Sequence, residues 1–562
     1  MGRGRGWGAL LSIRHASPDR TTHVVSALAV VTAIIVASPV ISIILIALQP
    51  VADLWPHLLN YVLPQALWDT ALLLSGVGLV TLVAGAGTAW IVSTCDFPGR
   101  NILIWLLPLP LAIPTYIGAY VYADIFEPLG IAQLVLANWI PMGDAARMLP
   151  NMRSLPGAIF IIGLVLYPYV YLSARAMFQV QSAEAVEAAR TLGAGRWRTF
   201  WSISLPMARP ALAIGLSLAL LETLNDIGAS EYLGIRTLTV AVFTTWHNRS
   251  SLAGAAQISC LILLIVALLI ALERYGRRNR TFALSAESPQ LTHRKPLTGA
   301  KAFAAFSLCA LPAILGFAIP FAFLVYQCIR RGLLLNIDTA IVRDAGHSIL
   351  FATVATAIAI ALGFAIQVAS RWRLGALEGA CVSIARSGYA LPGLVLALGL
   401  LAPVLAIDHA INGVARWAGF AAPGLVLVGS GAAVVIAYVV RFIAVPTGFI
   451  QAGFERIPFD YDDSARISGA GQVVTVRRIH LPLLNPALWG AAIIVFVDCL
   501  KELPATLLLR PLNVETLSTS IYQFASRGSF EEGSLAALLI VAASIGPVVW
   551  LTRFADVPAG PT

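Results

Sequence analysis

EAARTLGAGRWRTFWSISLP, residues 187–206, decides how the rest of the chain is read. A helical run of small residues (183–192) leads into it, Gly193-Ala194-Gly195 breaks that run, and a basic, aromatic segment follows. The segment is expected to stop at Leu205-Pro206, ahead of a long apolar run. Glycine takes the φ > 0 conformation of a turn at no steric cost, and proline in a helix forfeits a hydrogen bond. The pattern predicts two short helices at an angle, set between two membrane spans. It returns as DSARISGAGQVVTVRRIHLP, residues 463–482, at a constant offset of 276. Glu187 falls on Asp463, Ala189 on Ala465, Gly193 on Gly469, Leu205 on Leu481 and Pro206 on Pro482, and Pro210-Ala211-Leu212 falls on Pro486-Ala487-Leu488 without a gap. Recurrence in phase over this length marks an internal repeat.

Composition supplies the setting. Hydrophobic residues make up 58% of 562 and charged residues 12%, which places the chain among polytopic membrane proteins. A helical crossing needs ~20 apolar residues. Runs of that length are expected at 24–48, 69–93, 102–126, 156–179, 210–230 and 252–272, then at 302–327, 346–369, 380–406, 423–449, 485–509 and 534–552. With the N-terminus inside, 23 of the 37 Lys and Arg residues fall in cytoplasmic segments and 10 in external loops. The other four, Arg175, Arg386, Arg441 and Lys501, lie in or at spans. This positive-inside bias explains the net charge of +9 without a nucleic-acid partner, and it puts both Gly-turn loops in the cytoplasm.

The early spans repeat as well, with Thr70 on Ser348, Gly85 on Gly363 and Pro114 on Pro392 at an offset of 278. The expected fold is an all-α polytopic membrane protein of about twelve transmembrane helices. They form two homologous bundles related by pseudo-two-fold symmetry. The first half is 1–272, with its loop at 183–206. A polar, basic linker occupies 273–301, and the second half is 302–562, with its loop at 459–482. The basic N-terminus lacks a signal-peptide core and cleavage site, so the first span reads as uncleaved. Six cysteines without a C-x-x-C, and eight scattered histidines, suggest no disulfide framework, metal site or catalytic cluster. Asp96-Phe97-Pro98-Gly99-Arg100 reads as a turn joining two spans.

The two loops resemble the E-A-A-x3-G-x9-I-x-L-P loop of the integral-membrane subunits of bacterial ABC importers. Glu187, Ala188, Ala189, Gly193, Ile203, Leu205 and Pro206 match every named position. The second copy departs at Asp463 and Ser464 and keeps Ala465, Gly469, Leu481 and Pro482. The resemblance implies that each loop docks on a cytoplasmic ATPase subunit, one copy per loop, and that a periplasmic binding protein delivers the solute. A P-loop needs G-x-x-x-x-G-K-[ST]. Of the chain's three lysines, Lys295, Lys301 and Lys501, none follows glycine. ATP and Mg2+ are therefore expected in the partner ATPase, with no cofactor and no enzymatic activity in this chain. Lys501 to Arg510, KELPATLLLR, followed by Pro511, Glu515-Thr516-Leu517-Ser518-Thr519, Tyr522 and Phe530-Glu531-Glu532, resembles the fused two-half permeases of ferric-iron ABC importers. Ser518 stands where that family commonly has Ala.

Four acids at membrane depth remain. Glu222 and Asp226 belong to the fifth span, and Asp498 and Glu502 hold the repeat-equivalent places in the eleventh. Residues four apart share a helix face, so each span is expected to present two carboxylates to one side. Ionisable groups at this depth are costly and mark a water-filled path or a buried partner. One reading has the acids line the pathway between the halves. The other pairs them with Lys501 or Arg441 to hold helices together. A secondary transporter would share the repeat and the acids but does not need the paired loops, and a membrane-embedded enzyme would need a catalytic cluster. Thiamine, polyamines or phosphonates stay open as solutes beside ferric iron, which favours hard oxygen ligands and would meet the carboxylates only transiently.

Overall fold

The computed structural model describes residues 20–51, 53–180, 191–193, 195–277, 294–372 and 375–556. Among these, eleven helices are long and apolar enough to cross a bilayer, and one bent pair makes a twelfth crossing. The first six are His23–Ala47, Trp55–Thr94, Thr115–Leu136, Leu155–Gln179, Phe200–Asn225 and Leu252–Gly276. The next three are Gly299–Arg330, Thr339–Trp372 and Gly393–Trp417. Ala432–Phe442 and Ala444–Glu455, bent by 41°, form the tenth, ahead of Gln472–Lys501 and Phe530–Trp550. The all-α reading holds. Its only strand pairing among the described residues is Cys95–Asp96 beside Lys295–Pro296, which pins the linker's end to the second span.

Several expected spans change shape. The run 102–126 is broken: a helix covers Arg100–Leu106, a 3-10 turn covers Leu109–Ala112, and the α-helix starts at Thr115. Pro108, Pro110 and Pro114 each lack a donor, and three of them this close together forfeit too many helical hydrogen bonds for the helix to continue. In the second half 380–406 is broken likewise at Gly388–Pro392. The stretch 423–431 is irregular chain followed by turns rather than the start of a span, and the helix begins at Ala432. The linker is trimmed at both ends by the helices Leu252–Arg277 and Gly299–Ala313.

The segment after Gly195 does not stop at Leu205-Pro206. A helix from Arg196 passes through a π-turn, Phe200–Ser204, and continues as Leu205–Asn225. The second copy does the same, with a π-turn at Val476–His480 ahead of Leu481–Lys501. Four π-turns occur among the described residues, at Leu58–Val62, Phe200–Ser204, Ile314–Ala318 and Val476–His480. Each ends two residues before a proline: Pro64, Pro206, Pro320 and Pro482. A proline ring would collide with the carbonyl four residues back, and widening that turn relieves the collision while the axis continues.

The repeat extends to single hydrogen bonds. Leu238 N–H donates to Thr70 Oγ1 (3.0 Å), and Leu517 N–H donates to Ser348 Oγ (2.8 Å). Gly85 lets the second span approach Val170 and Tyr171, and Gly363 lets the eighth approach Pro446 and Thr447. The halves also exchange their first helices. Ala29, Ala33 and Val36 of the first span share a core with Ala352, Ala397 and Ala437, and Gly399 admits the Pro39 carbonyl. Ala305, Cys309 and Ala313 of the seventh span pack instead with Val92, Leu107 and Tyr167. This exchange locks the halves around a shared interface. No disulfide joins the six cysteines, and all but the half-buried Cys260 are buried.

Candidate functional site

The ends of the fifth and eleventh spans line one cavity, and there the local backbone matters most. The helix through Glu222 ends at Asn225, and Asp226 is extended (φ −78°, ψ 100°). The helix through Asp498 ends at Lys501, and Glu502 is extended (φ −68°, ψ 114°). The expectation of two acids on one helix face is therefore corrected. In each half the second acid caps a new short helix instead of continuing the old one. Ala229 N–H donates to Asp226 Oδ1 at 2.9 Å, and Ala505 N–H donates to Glu502 Oε1 at 3.1 Å. Carboxylates at such positions satisfy helix N–H groups that have no partner within the helix.

The breaks turn all four carboxylates into one cavity of about 80 Å3 between the halves, which Arg441 and Lys501 also line. Lys501 Nζ lies 2.8 Å from Asp498 Oδ1. Arg441 Nη1 lies 3.3 Å from Glu502 Oε1 and donates to Asn225 Oδ1 at 3.1 Å, while Nη2 is 4.0 Å from Glu222 Oε2. Tyr389 OH donates to Glu222 Oε1 at 3.1 Å, and Gly393 N–H donates to Asn225 Oδ1 at 2.6 Å. Arg441 and Glu502 are almost wholly buried, whereas the Glu222 side chain keeps a quarter of its surface exposed. The acids thus line a cavity and are paired as well, so elements of both sequence readings coexist. Asn225 and Tyr389 went unnoticed in the sequence, since nothing local marks a neutral amide or a tyrosine as a cross-interface clasp.

This cavity does not stand alone. A second one, of about 740 Å3, shares Leu111, Tyr169, Tyr389, Asp498 and Lys501 with it and extends to Arg386 and Ala452. A third, of about 590 Å3, shares Arg386 with the second and reaches Glu455, Pro458 and Phe459 at the foot of the second Gly-turn loop. Shared walls therefore connect the charged cluster to the loop end of the molecule. Glu222 stands seventeen residues beyond Leu205, roughly 25 Å of helix at 1.5 Å per residue.

In the second loop, Asp460–Ile467 is helical, Gly469 turns with φ +78°, and Gln472 starts the next helix. Ala465 is buried and Asp463 exposed, with Arg466 3.9 Å away in a surface pair of little energetic weight. The anchor of this loop escaped the sequence reading. Asp462 Oδ2 accepts from Arg371 Nε and Nη2 (2.9 and 2.6 Å), and Asp462 Oδ1 faces His480 Nε2 at 2.8 Å. Arg371 also donates to the carbonyls of Phe454, Ile457 and Pro458. Burial disfavours the Asp462 charge, but the hydrogen bonds from His480 and Arg371 outweigh it and hold this carboxyl below the ordinary carboxylate range. In the first loop, Gly193 turns with φ +83°, and Leu205 and Pro206 are half-buried in the continuous helix. Glu187, Ala188 and Ala189 lie outside the described residues. Leu192 and Ile467 project beside the two turns almost fully exposed.

Ser518, the departure from the family's usual Ala, donates from its hydroxyl to the Glu502 carbonyl at 2.9 Å and so secures the break in the eleventh span. Arg510 and Glu515 pair at 2.5 Å across the turn after KELPATLLLR.

Comparison with known proteins agrees with this geometry. The family of binding-protein-dependent transport system inner membrane components matches residues 82–281 and again 359–556, once per half. The chain is 24% identical over 507 residues to the Fe(3+)-transport system permease protein FbpB 2 of Haemophilus influenzae, covering 87% of this chain and 90% of that protein. It is 30% identical over 197 residues to the molybdenum transport system permease protein ModB of Escherichia coli, covering 34% of this chain and 82% of that protein. With the sulfate transport system permease protein CysW of Escherichia coli it shares 31% over 202 residues, 35% of this chain and 66% of that protein. Matched twice along one polypeptide, and with one bundle per match, the chain belongs to the binding-protein-dependent transport system inner membrane component family as a fused, two-half permease.

Proposed function

We propose that this permease passes ferric iron from a periplasmic binding protein to the cytoplasm through the interface between its halves. The carrying observation is the cavity between the halves, where four carboxylates outnumber two cations. Hard oxygen donors suit Fe3+, and partial neutralisation by Arg441 and Lys501 keeps the site from becoming a trap, as a conduit requires. The full-length likeness to the Haemophilus iron permease points the same way, whereas the molybdenum and sulfate permeases match about a third of the chain. Those two relatives, together with Arg386, Arg441 and Lys501 along the cavities, favour an oxyanion as the second reading.

Energy enters at the other end. Each Gly-turn exposes an apolar side chain, Leu192 or Ile467, that a partner would cover. Two ATPase subunits closing on the loops would move the helices that run unbroken from Arg196 to Asn225 and from Gln472 to Lys501, and so shift the acids at their far ends. Both termini are assigned to the cytoplasm of an inner-membrane protein. A reporter active only in the periplasm, fused after Pro289, should be silent, and one fused near Arg249 should be active; the reverse would invert the orientation.

The solute is tested by uptake of radiolabelled Fe3+, molybdate and sulfate in cells carrying Glu222→Gln and Asp498→Asn. Fe3+ uptake per folded transporter should fall sharply, with thermal stability in detergent held in Glu222→Gln and lowered in Asp498→Asn, which leaves Lys501 without its partner. Transport of an oxyanion, with no Fe3+ uptake in the unsubstituted protein, would replace iron as the cargo. Normal Fe3+ uptake by the double amide variant would take the acids off the path.

A further inference from the structure

The cavity's charges are not shared evenly between the halves. Arg441 sits at the repeat position of Val165, Lys501 at that of Asn225 and Tyr389 at that of Leu111, so both cations and the tyrosine come from the second half. The guanidinium of Arg441 reaches across the interface to Asn225 (3.1 Å) and Glu222 (4.0 Å) of the first half, and it also holds Glu502 of its own half. It is 3% exposed, and its Nε, buried on the cavity wall, has no hydrogen-bond partner. An arginine with a donor to spare inside a group of acids is bound incompletely. Its loosest contact is with Glu222, the more exposed carboxylate of the two it pairs with.

We propose that Arg441 is the resident counter-ion of the pathway. It stands in for the cargo when the cavity is empty, ties the two halves together through Glu222 and Asn225, and sets the charge a cargo needs to displace it. The inference rests on the pathway reading of the acids given above. Four carboxylates against two cations leave a formal charge of −2. A divalent ion would no more than match that charge while competing with a fixed guanidinium already in place. A trivalent ion overmatches it and draws Glu222 away from Arg441, which frees the interface to part. Without Arg441 the same cavity would carry −3 and hold divalent ions that normally pass it by. Lys501 does not substitute for it, because its ammonium is committed to Asp498 on its own helix.

The test uses the whole transporter in proteoliposomes, with its ATPase and binding protein. Uptake of Fe3+ is measured against Mn2+ added on the binding-protein side, and ATP hydrolysis is measured without binding protein. In Arg441→Val, which installs the residue of the matching position, Mn2+ should inhibit at concentrations at least tenfold lower than in the unsubstituted protein, and Arg441→Lys should restore part of the difference. Arg441→Gln with Glu502→Gln removes one charge of each sign and avoids leaving a buried charge unpaired. Its Mn2+ sensitivity should stay unchanged, while hydrolysis without binding protein should rise several-fold because the tie across the halves is gone. Unchanged Mn2+ sensitivity in a folded Arg441→Val, or unchanged hydrolysis in the double variant, overturns the proposal. If Arg441→Val does not accumulate, the double variant decides. Glu222→Gln, run alongside, separates the two failures: lost uptake there with no effect at Arg441 sinks only the counter-ion, and normal uptake there sinks the pathway reading beneath it.

Discussion

Arg371, Asp462 and His480 form a buried hydrogen-bonded triad under the second loop, and the matching first-half positions are Ser93, Val186 and Ser204. The contrast repeats at the charged cavity, where Val165 holds the repeat position of Arg441. The devices that shape the backbone are shared: the π-turns before Pro206 and Pro482, the extended acids Asp226 and Glu502, and the Thr70 and Ser348 hydroxyls that cap the same turn. Where the halves differ is in charge, and the additional cations lie in the second. Backbone devices are therefore what this fold needs twice. The charges are what the second half adds to that shared frame.

The largest expected effect tests what the halves share. Gly193 and Gly469 have φ of +83° and +78°, with nothing within 4 Å of where a Cβ would stand. Gly193→Val or Gly469→Val therefore meets no clash and incurs only left-handed backbone strain, roughly 1–2 kcal/mol. That strain should re-aim the turn. Solute-stimulated ATP hydrolysis should be abolished with protein levels in the membrane unchanged, and the first loop should be the more sensitive because it fits the family pattern at every position. Full stimulation in both variants would remove the coupling role.

Much of this was legible in the sequence, and the reasons are specific. Span number follows from hydropathy, since a bilayer demands ~20 apolar residues whatever their packing. The repeat follows from Gly193, Gly469 and their neighbours standing in phase. Less legible were the ends of the fifth and eleventh spans. Pro504 did carry a signal, because proline lacks the donor that a continuing helix needs and suits the first turn of a new one. Asn225-Asp226-Ile227 carried only a cap preference that competes with a strongly apolar helix. The partners of the acids could not be read at all. Arg441 meets Glu222 across 219 positions of chain, and that distance closes only when the two bundles pack around exchanged first helices.

A smaller effect tests where the halves part. Removing Arg371 with Arg371→Ala leaves Asp462 buried without its guanidinium partner, a loss of ~3–5 kcal/mol in comparable sites. Ser93 holds the equivalent place, and its buried hydroxyl has no hydrogen-bond partner. Ser93→Ala should therefore change stability by less than ~0.5 kcal/mol. Thermal unfolding in detergent should fall steeply for the first variant and barely move for the second. Equal shifts would mean that the triad is not what distinguishes the halves.

The smallest effect vanishes at neutral pH and separates the loops only in acid. Asp462 titrates below the ordinary carboxylate range, whereas Val186 has nothing to titrate. A carboxyl whose folded-state pKa lies below its unfolded value of about 3.9 adds stability that is present in full above that value. The contribution drains away as pH falls through the folded-state value. The second loop should therefore keep its grip on Arg371 and His480 from about pH 8 down to about pH 5 and loosen below about pH 4. Asp462→Asn lacks the titrating group, so it should be weaker than the unsubstituted protein above about pH 5, converge with it in acid and show no acid step of its own. Backbone hydrogen exchange across 456–471, corrected for the intrinsic pH dependence of exchange, reads this directly. An acid step of the same size in Asp462→Asn would place its source outside the triad, and the second loop would then differ from the first in packing alone.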